Sequence, residues 1–273
     1  MGGKEPFPGG NEIDAEVHVS SRFLLISIVL LSASGCGKKG PLLYPDMLVP
    51  TAVSALTASQ SGTSVKIAFE LPNKDLAGRP LRDLAGATVF KRVESSLQQP
   101  DCPACTDDFR IFRKVYLDLP DTTQIYGNKM VLLDGETREN TAYSYYVVPF
   151  ARDNSVGASS APVRVRVTLP PLPPVLQVLP APTEIKLEFV TIPPEEGSLV
   201  GYNVYRWVKG EPMPYLPLNN EPLEDSVYVD SGLERKVTYH YVVRTVVRMP
   251  WGGIAESGAS NEAEGALKEE EER

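Results

Sequence analysis

Histidine is nearly absent from the chain, with His18 and His240 the only two in 273 residues, and cysteine occurs three times, as Cys36, Cys102 and Cys105. Clusters of these residues with zinc-site spacing are therefore missing. No G-x-x-x-x-G-K-[ST] or G-x-G-x-x-G loop occurs to cradle a phosphate. Positive charge is also in short supply: 27 bases face 35 acids, for a net charge of −8 and a pI near 5.0. No bulk cationic field exists to hold a nucleic-acid backbone, so nucleic acid is not an expected partner. Nor does any apolar run reach the ~20 residues that a transmembrane helix needs. Ordinary enzymology and cofactor chemistry have almost nothing to stand on. What is present is a 42% apolar chain with 25 prolines and 21 glycines well spread along it, which favours turns and short strands over long helices. Its length suits about two domains at roughly 150 residues each.

The longest apolar run, Phe23 to Leu31, follows Arg22 and ends in small residues, the outline of a secretory signal peptide. Leu31-Ser32-Ala33-Ser34-Gly35-Cys36 resembles the lipobox of bacterial lipoproteins. That resemblance implies a diacylglycerol thioether on Cys36, cleavage after Gly35 and acylation (palmitate) of the new amino group, so residues 1–35 would be signal and Cys36 the first residue of the mature protein. Cleavage would also remove His18, and it would leave a net charge near −6. Met1 to Ser21 carries Glu5, Glu12, Asp14 and Glu16 against Lys4 alone, the wrong sign for the start of a signal peptide. Translation from Val17 or Val19 would restore a compact one. Gly37, not aspartate, follows the lipid site, which by resemblance to the enterobacterial sorting rule implies the outer membrane, on its periplasmic face or at the cell surface.

Residues 36–49 form a leader of two possible kinds. Cys36-Gly37-Lys38-Lys39-Gly40-Pro41-Leu42-Leu43-Tyr44-Pro45 resembles the C-G-x-K-G-P-L-Y-x-P start of the LptM family of small lipoproteins, with one extra leucine. The resemblance covers ten residues and implies that Lys38, Lys39, Gly40, Pro41 and Leu42 touch an outer-membrane β-barrel of the lipopolysaccharide translocon. The other reading is a flexible tether whose lysines sit near anionic headgroups.

Beyond residue 50 the chain repeats itself. Thr63 to Phe69 returns as Thr183 to Phe189, Gly86 to Lys91 as Gly201 to Arg206, and Asn140 to Val147 as Lys236 to Val243. The offsets shrink from 120 to 115 to 96, so copy one carries a 19-residue excess between Arg92 and Glu139. Apolar and polar residues alternate in each anchor, the period of a half-buried strand. Turn residues every 8–12 positions point to antiparallel sandwiches.

These residues resemble fibronectin type III modules. Leu233 stands six residues before Tyr239, as in that family's L-x5-Y stretch. The resemblance implies a tyrosine corner at Tyr239, with Tyr241 and Val243 inward, and the same roles for Tyr143, Tyr145 and Val147. Neither copy has the family's early tryptophan. The expected fold is all-β: two tandem immunoglobulin-like (fibronectin type III) sandwiches at 50–168 and 175–266. Between them Leu169 to Pro174 should be a semi-rigid polyproline spacer that holds the modules apart. An acidic tail occupies 267–273.

Two chemical features remain. Cys102-Pro103-Ala104-Cys105 lies within the excess of copy one. An oxidising envelope and the neighbouring Asp107 and Asp108 favour a structural disulfide between Cys102 and Cys105 over metal binding or thiol exchange. Its loop, Gln98 to Arg110, is a candidate partner-contacting surface. His240 alternates with Tyr239 and Tyr241 and so should face away from the core. The expected function is non-enzymatic: a membrane-anchored binding or scaffold protein, with an envelope protein or polysaccharide as partner, or an assembly factor of the LptM kind.

Overall fold

The computed structural model describes residues 44–97, 108–120 and 123–269, together with Gly2 and Gly3. From residue 44 onward the described residues form one compact unit. Strand alternation places Val65, Ile67 and Phe69 of β2 (Ser64–Glu70) in one core, and Ile185, Leu187 and Phe189 of β10 (Glu184–Val190) in another. The two repeats therefore build two separate apolar interiors.

The first sandwich comprises β1 (Ser54–Ser61), β2, β3 (Leu84–Val93), β4 (Arg110–Tyr116), β5 (Gln124–Tyr126), β6 (Lys129–Asp134), β7 (Thr141–Ala151) and β8 (Val163–Val167). One sheet runs β4-β3-β7-β8 and packs on the other, β1-β2-β6-β5. The second comprises β9 (Val175–Pro180), β10, β11 (Ser198–Val208), β12 (Val227–Ser231), β13 (Tyr239–Arg248), β14 (Ile254–Glu256) and β15 (Ala263–Gly265). Here β12-β10-β9 faces β11-β13, with β14 and β15 both alongside β13. Each module is thus a two-sheet β-sandwich around its own apolar core. The extra residues of copy one include β4 and β5, which have no counterpart between β11 and β12. In copy two the Asn219 side chain stands in for a neighbouring strand, accepting from the Val204 N–H at 2.8 Å and donating to the Tyr202 carbonyl at 3.1 Å.

The tyrosine corners form in both copies. The Tyr143 hydroxyl accepts the Arg138 N–H at 2.8 Å, and the Tyr239 hydroxyl accepts the Glu234 N–H at 3.0 Å, each five residues upstream. Tyr145, Val147, Tyr241 and Val243 are fully buried. The end of the leader is held against the first sandwich: Pro45–Met47 make a 3-10 turn, and Met47 and Val49 accept backbone N–H groups from Ala77 and Leu76.

The expectation of separated modules fails. Leu169 to Pro174 contains no strand, as its prolines dictate, yet β1 pairs in parallel with β14, Gln60 opposite Ala255 and Ser61 opposite Glu256. A continuous sheet therefore runs β11-β13-β14-β1-β2-β6-β5 across both modules. The physical reason is edge satisfaction. In the first sandwich β1 would leave a row of N–H and C=O groups unpaired, and β14 supplies partners for it.

Candidate functional site at the module junction

One face of the continuous sheet carries polar side chains in a row across the joint. Alternation would send them to water, but at the joint they bond to one another across the two modules. At the centre is Glu256 on β14, only 4% exposed. Its carboxylate accepts from the Ser61 hydroxyl at 2.8 Å, the Lys66 ammonium at 2.9 Å, the Tyr205 hydroxyl at 2.9 Å and the Asn203 amide. Lys66 also reaches the Tyr205 oxygen at 3.1 Å. Ser61 and Lys66 belong to the first module, and the other three to the second. Burial pushes the Glu256 carboxyl upward, but the Lys66 charge and the hydrogen bonds from Lys66, Asn203 and Ser61 outweigh it and hold the group below its ordinary value. Tyr205 is driven well above the usual phenol range by burial first and by the Glu256 charge second. The result is a fixed, charged bolt between the modules.

The sheet curls until its two ends meet over this network. Gln124 of β5 donates to the Met213 carbonyl at 2.8 Å and accepts the Tyr215 N–H at 2.7 Å, and Tyr126 accepts the same N–H at 3.0 Å. Met213 and Tyr215 lie in the coil that follows β11. At the other side of the joint Gln60, 1% exposed, bonds both the N–H and the carbonyl of Thr168, fastening β1 to the end of β8. Gly62 turns out of β1 with φ +60° and lies 3.5 Å, measured from an added Cβ, from the Gly258 backbone. Two cavities open beside the bolt. One of about 430 Å³ lies between β8 and the β13–β14 turn. The other, about 520 Å³, lies under the proline spacer and the Pro193–Glu196 loop. Arg166 and Met249 line both.

Within each module a second polar device recurs. Asp134, at the end of β6, accepts the Tyr145 hydroxyl at 2.6 Å and pairs with Lys91 at 2.6 Å, while Lys91 lies over the Tyr143 ring at 4.6 Å. Asp230 on β12 accepts the Tyr241 hydroxyl at 2.8 Å and pairs with Arg206 at 2.8 Å, and Arg206 lies over the Tyr239 ring at 5.3 Å. Burial, then the hydrogen-bonded aspartate, raises both Tyr145 and Tyr241 far above the ordinary phenol value. These tyrosines are hydrogen-bond donors, not acids.

Cys36, Lys38, Lys39, Gly40, Pro41, Leu42, Cys102 and Cys105 all lie outside the described residues. His240 does face away from the core side of β13, but it is not free in solvent: its ring stacks on Trp207 with centroids 5.5 Å apart, and Nδ1 contacts Glu262. Among the described residues no group of histidine, cysteine and carboxylate side chains could hold a metal ion, and no helix is long and apolar enough to cross a membrane. Alternation misses the junction because it assigns Lys66 to the outer side of its strand and is silent on what covers that side.

No protein-family model and no curated protein matches the chain. Among solved structures it is similar to the FN1–FN3 domains of chicken CNTN1, at 15% identity and a TM-score of 0.29, over 81% of this chain and 68% of that one.

Proposed function

We propose that the chain is a lipid-anchored protein of the bacterial envelope that works without catalysis, as a binding or scaffold body presented on its leader. The observation that carries this reading is the joined sheet. Two fibronectin-type sandwiches locked through Glu256 present their loops and outer faces in a fixed relation, which suits recognition of a partner larger than one module. The leader fits the same role. From Cys36 to the turn that begins at Pro45 is nine residues, about 30 Å at full extension, so an acylated Cys36 would keep the first module close to the bilayer. Metabolic labelling with palmitate tests the anchor: label and membrane fractionation should both vanish in Cys36→Ser, and label that persists there would remove the lipoprotein reading.

A second reading is favoured by Cys36 to Pro45, whose likeness to LptM suggests contact with an outer-membrane barrel. Photo-crosslinking from Leu43 and, in parallel, from Asp107 separates the two. Capture of a barrel component from Leu43 alone supports an assembly factor. Capture from Asp107 alone makes the leader a tether and the loop of copy one the binding surface.

A further inference from the structure

We propose that the end of the first sandwich from which the leader departs is a membrane-docking surface, its apolar loop tips resting among the headgroups of a phospholipid bilayer. The inference deepens the lipid-anchored reading and rests on it. At that end Tyr44, Leu48, Leu76, Tyr116, Leu119 and Val156 are all exposed, Leu119 to 77%. Contacts hold their four segments together. Leu76 donates its N–H to the Val49 carbonyl at 3.0 Å, and Ala158 donates to the Pro50 carbonyl at 2.9 Å, which joins the chain after Tyr44 to both loops. Val156 pairs across a β-bridge with Phe150, whose ring meets Tyr116 edge-on at 5.3 Å, and Tyr116 pairs in the same way with Leu119. The opposite end of the second sandwich is different: its turns at 181–183, 209–211 and 232–238 expose no large apolar side chain.

A single exposed leucine is ordinary, but six large apolar side chains gathered at one end of an acidic chain mark a surface that gains by leaving water. The leader names what covers it. Tyr44 follows Cys36 by eight residues, so with an acyl chain on Cys36 these tips stay within about 30 Å of the bilayer. Their composition suits its surface. Tyr44 and Tyr116 have the amphipathic rings favoured at headgroup depth, and Leu76, Leu119 and Val156 insert without carrying a charge inward. The neighbouring Arg79 and Arg152 pair with Asp75 and Asp118, so their charges are matched, and their long stems let the guanidinium heads stay at the surface. Docking driven by apolar contact should therefore persist at high salt. The lipid and the loop tips together would fix the direction in which the first sandwich stands, and the Glu256 bolt would carry that direction to the second.

The test uses the full chain with its lipid on Cys36, in vesicles of equal parts phosphatidylethanolamine and phosphatidylglycerol whose acyl chains carry bromine. A fluorescent amino acid stands at position 156 or, for comparison, at position 211 on the far end. Flotation with the vesicles reports the anchor, and quenching of the fluorophore by bromine reports the docking. Strong quenching at 156 and none at 211 are expected. Leu76→Ser combined with Leu119→Ser should float equally well and lower the ratio of docked to undocked chain about tenfold or more. Both side chains are exposed, so the fold does not depend on them. A chain that floats with an unquenched fluorophore at 156, or with equal quenching at both positions, overturns the docking and leaves the anchor standing, and so does quenching that the double variant leaves unchanged. A chain that does not float removes the anchor and, with it, the docking.

Discussion

Lys66 and Lys186 occupy the same place in the two copies, the middle of the second strand, and they live in different surroundings. Lys66 is 12% exposed and bonded to Glu256 and Tyr205 of the other module, whereas Lys186 is 45% exposed and pairs with Glu188 on its own strand. Phe90 and Tyr205 are a similar pair. Phe90 stacks on Tyr146, 4.6 Å between centroids, over the outer face of its own sheet, while Tyr205 adds the hydroxyl that the joint uses. The inward devices, by contrast, are the same in both modules: a tyrosine corner, and an aspartate bonded to a tyrosine and a cation. Packing a sandwich constrains the inside of both copies alike, and only the outer faces were free to become a joint.

The sharpest way to break this comparison is at the aspartates. Asp134 is fully buried and its partner Lys91 is 13% exposed, so Asp134→Ala strands a cation and a phenol out of water and should cost about 3–5 kcal/mol. Asp230→Ala frees an Arg206 that is 30% exposed and can regain water, so about 2 kcal/mol is expected. Denaturant midpoints of the two variants measure the difference. Equal losses would mean that the cores are tuned alike despite their unequal exposure.

Next come the lysines. Lys66→Met leaves Glu256 buried with only neutral donors and should lower stability by about 2 kcal/mol. Lys186→Met should change it by less than about 0.5 kcal/mol, because an exposed pair contributes little. The Lys66→Met variant should also separate one unfolding transition into two, one for each module. A double variant with Glu256→Gln should recover much of the loss, since no unpaired charge remains. Acid probes the same bolt. The Glu256 carboxyl is held below its unfolded value of about 4.3, so its contribution is present above that pH and is lost as pH falls through the folded value. Melting temperature measured between pH 5 and 2 should therefore fall less steeply in Glu256→Gln than in the parent, and identical slopes would remove Glu256 from the acid response.

Most of the interior was legible from the chain. Val65, Ile67, Phe69 and their counterparts alternate strictly, and three anchors in one order exposed the repeat. The aspartate device could have been read as well, because Asp134 to Tyr145 and Asp230 to Tyr241 share a spacing of 11 residues with Lys91 and Arg206 at matching places. The joint was hidden for a physical reason. Alternation reports which side of a strand leaves its own core, and it is silent on what later covers that side. Lys66 falls on the polar side of its repeat and Glu256 lies outside every repeated anchor, and the proline spacer read as a strut when β14 in fact folds back to complete the edge of β1. The one visible hint was tyrosine at 205 where the other copy has phenylalanine.

The smallest expected difference lies at the corners. Tyr143→Phe and Tyr239→Phe each remove one hydrogen bond to a backbone N–H five residues upstream, and each should cost about 1 kcal/mol. The surrounding loops are not identical. In copy two Leu233 packs on the core, whereas in copy one Thr137, at the corresponding position, donates its hydroxyl to the Thr63 carbonyl. If the corner bond itself is what stabilises the turn, the two losses agree to within about 0.5 kcal/mol. A larger loss at Tyr143 would show that the apolar contact of Leu233 carries part of the corner in copy two, and that copy one, without that leucine, leans harder on its hydroxyl.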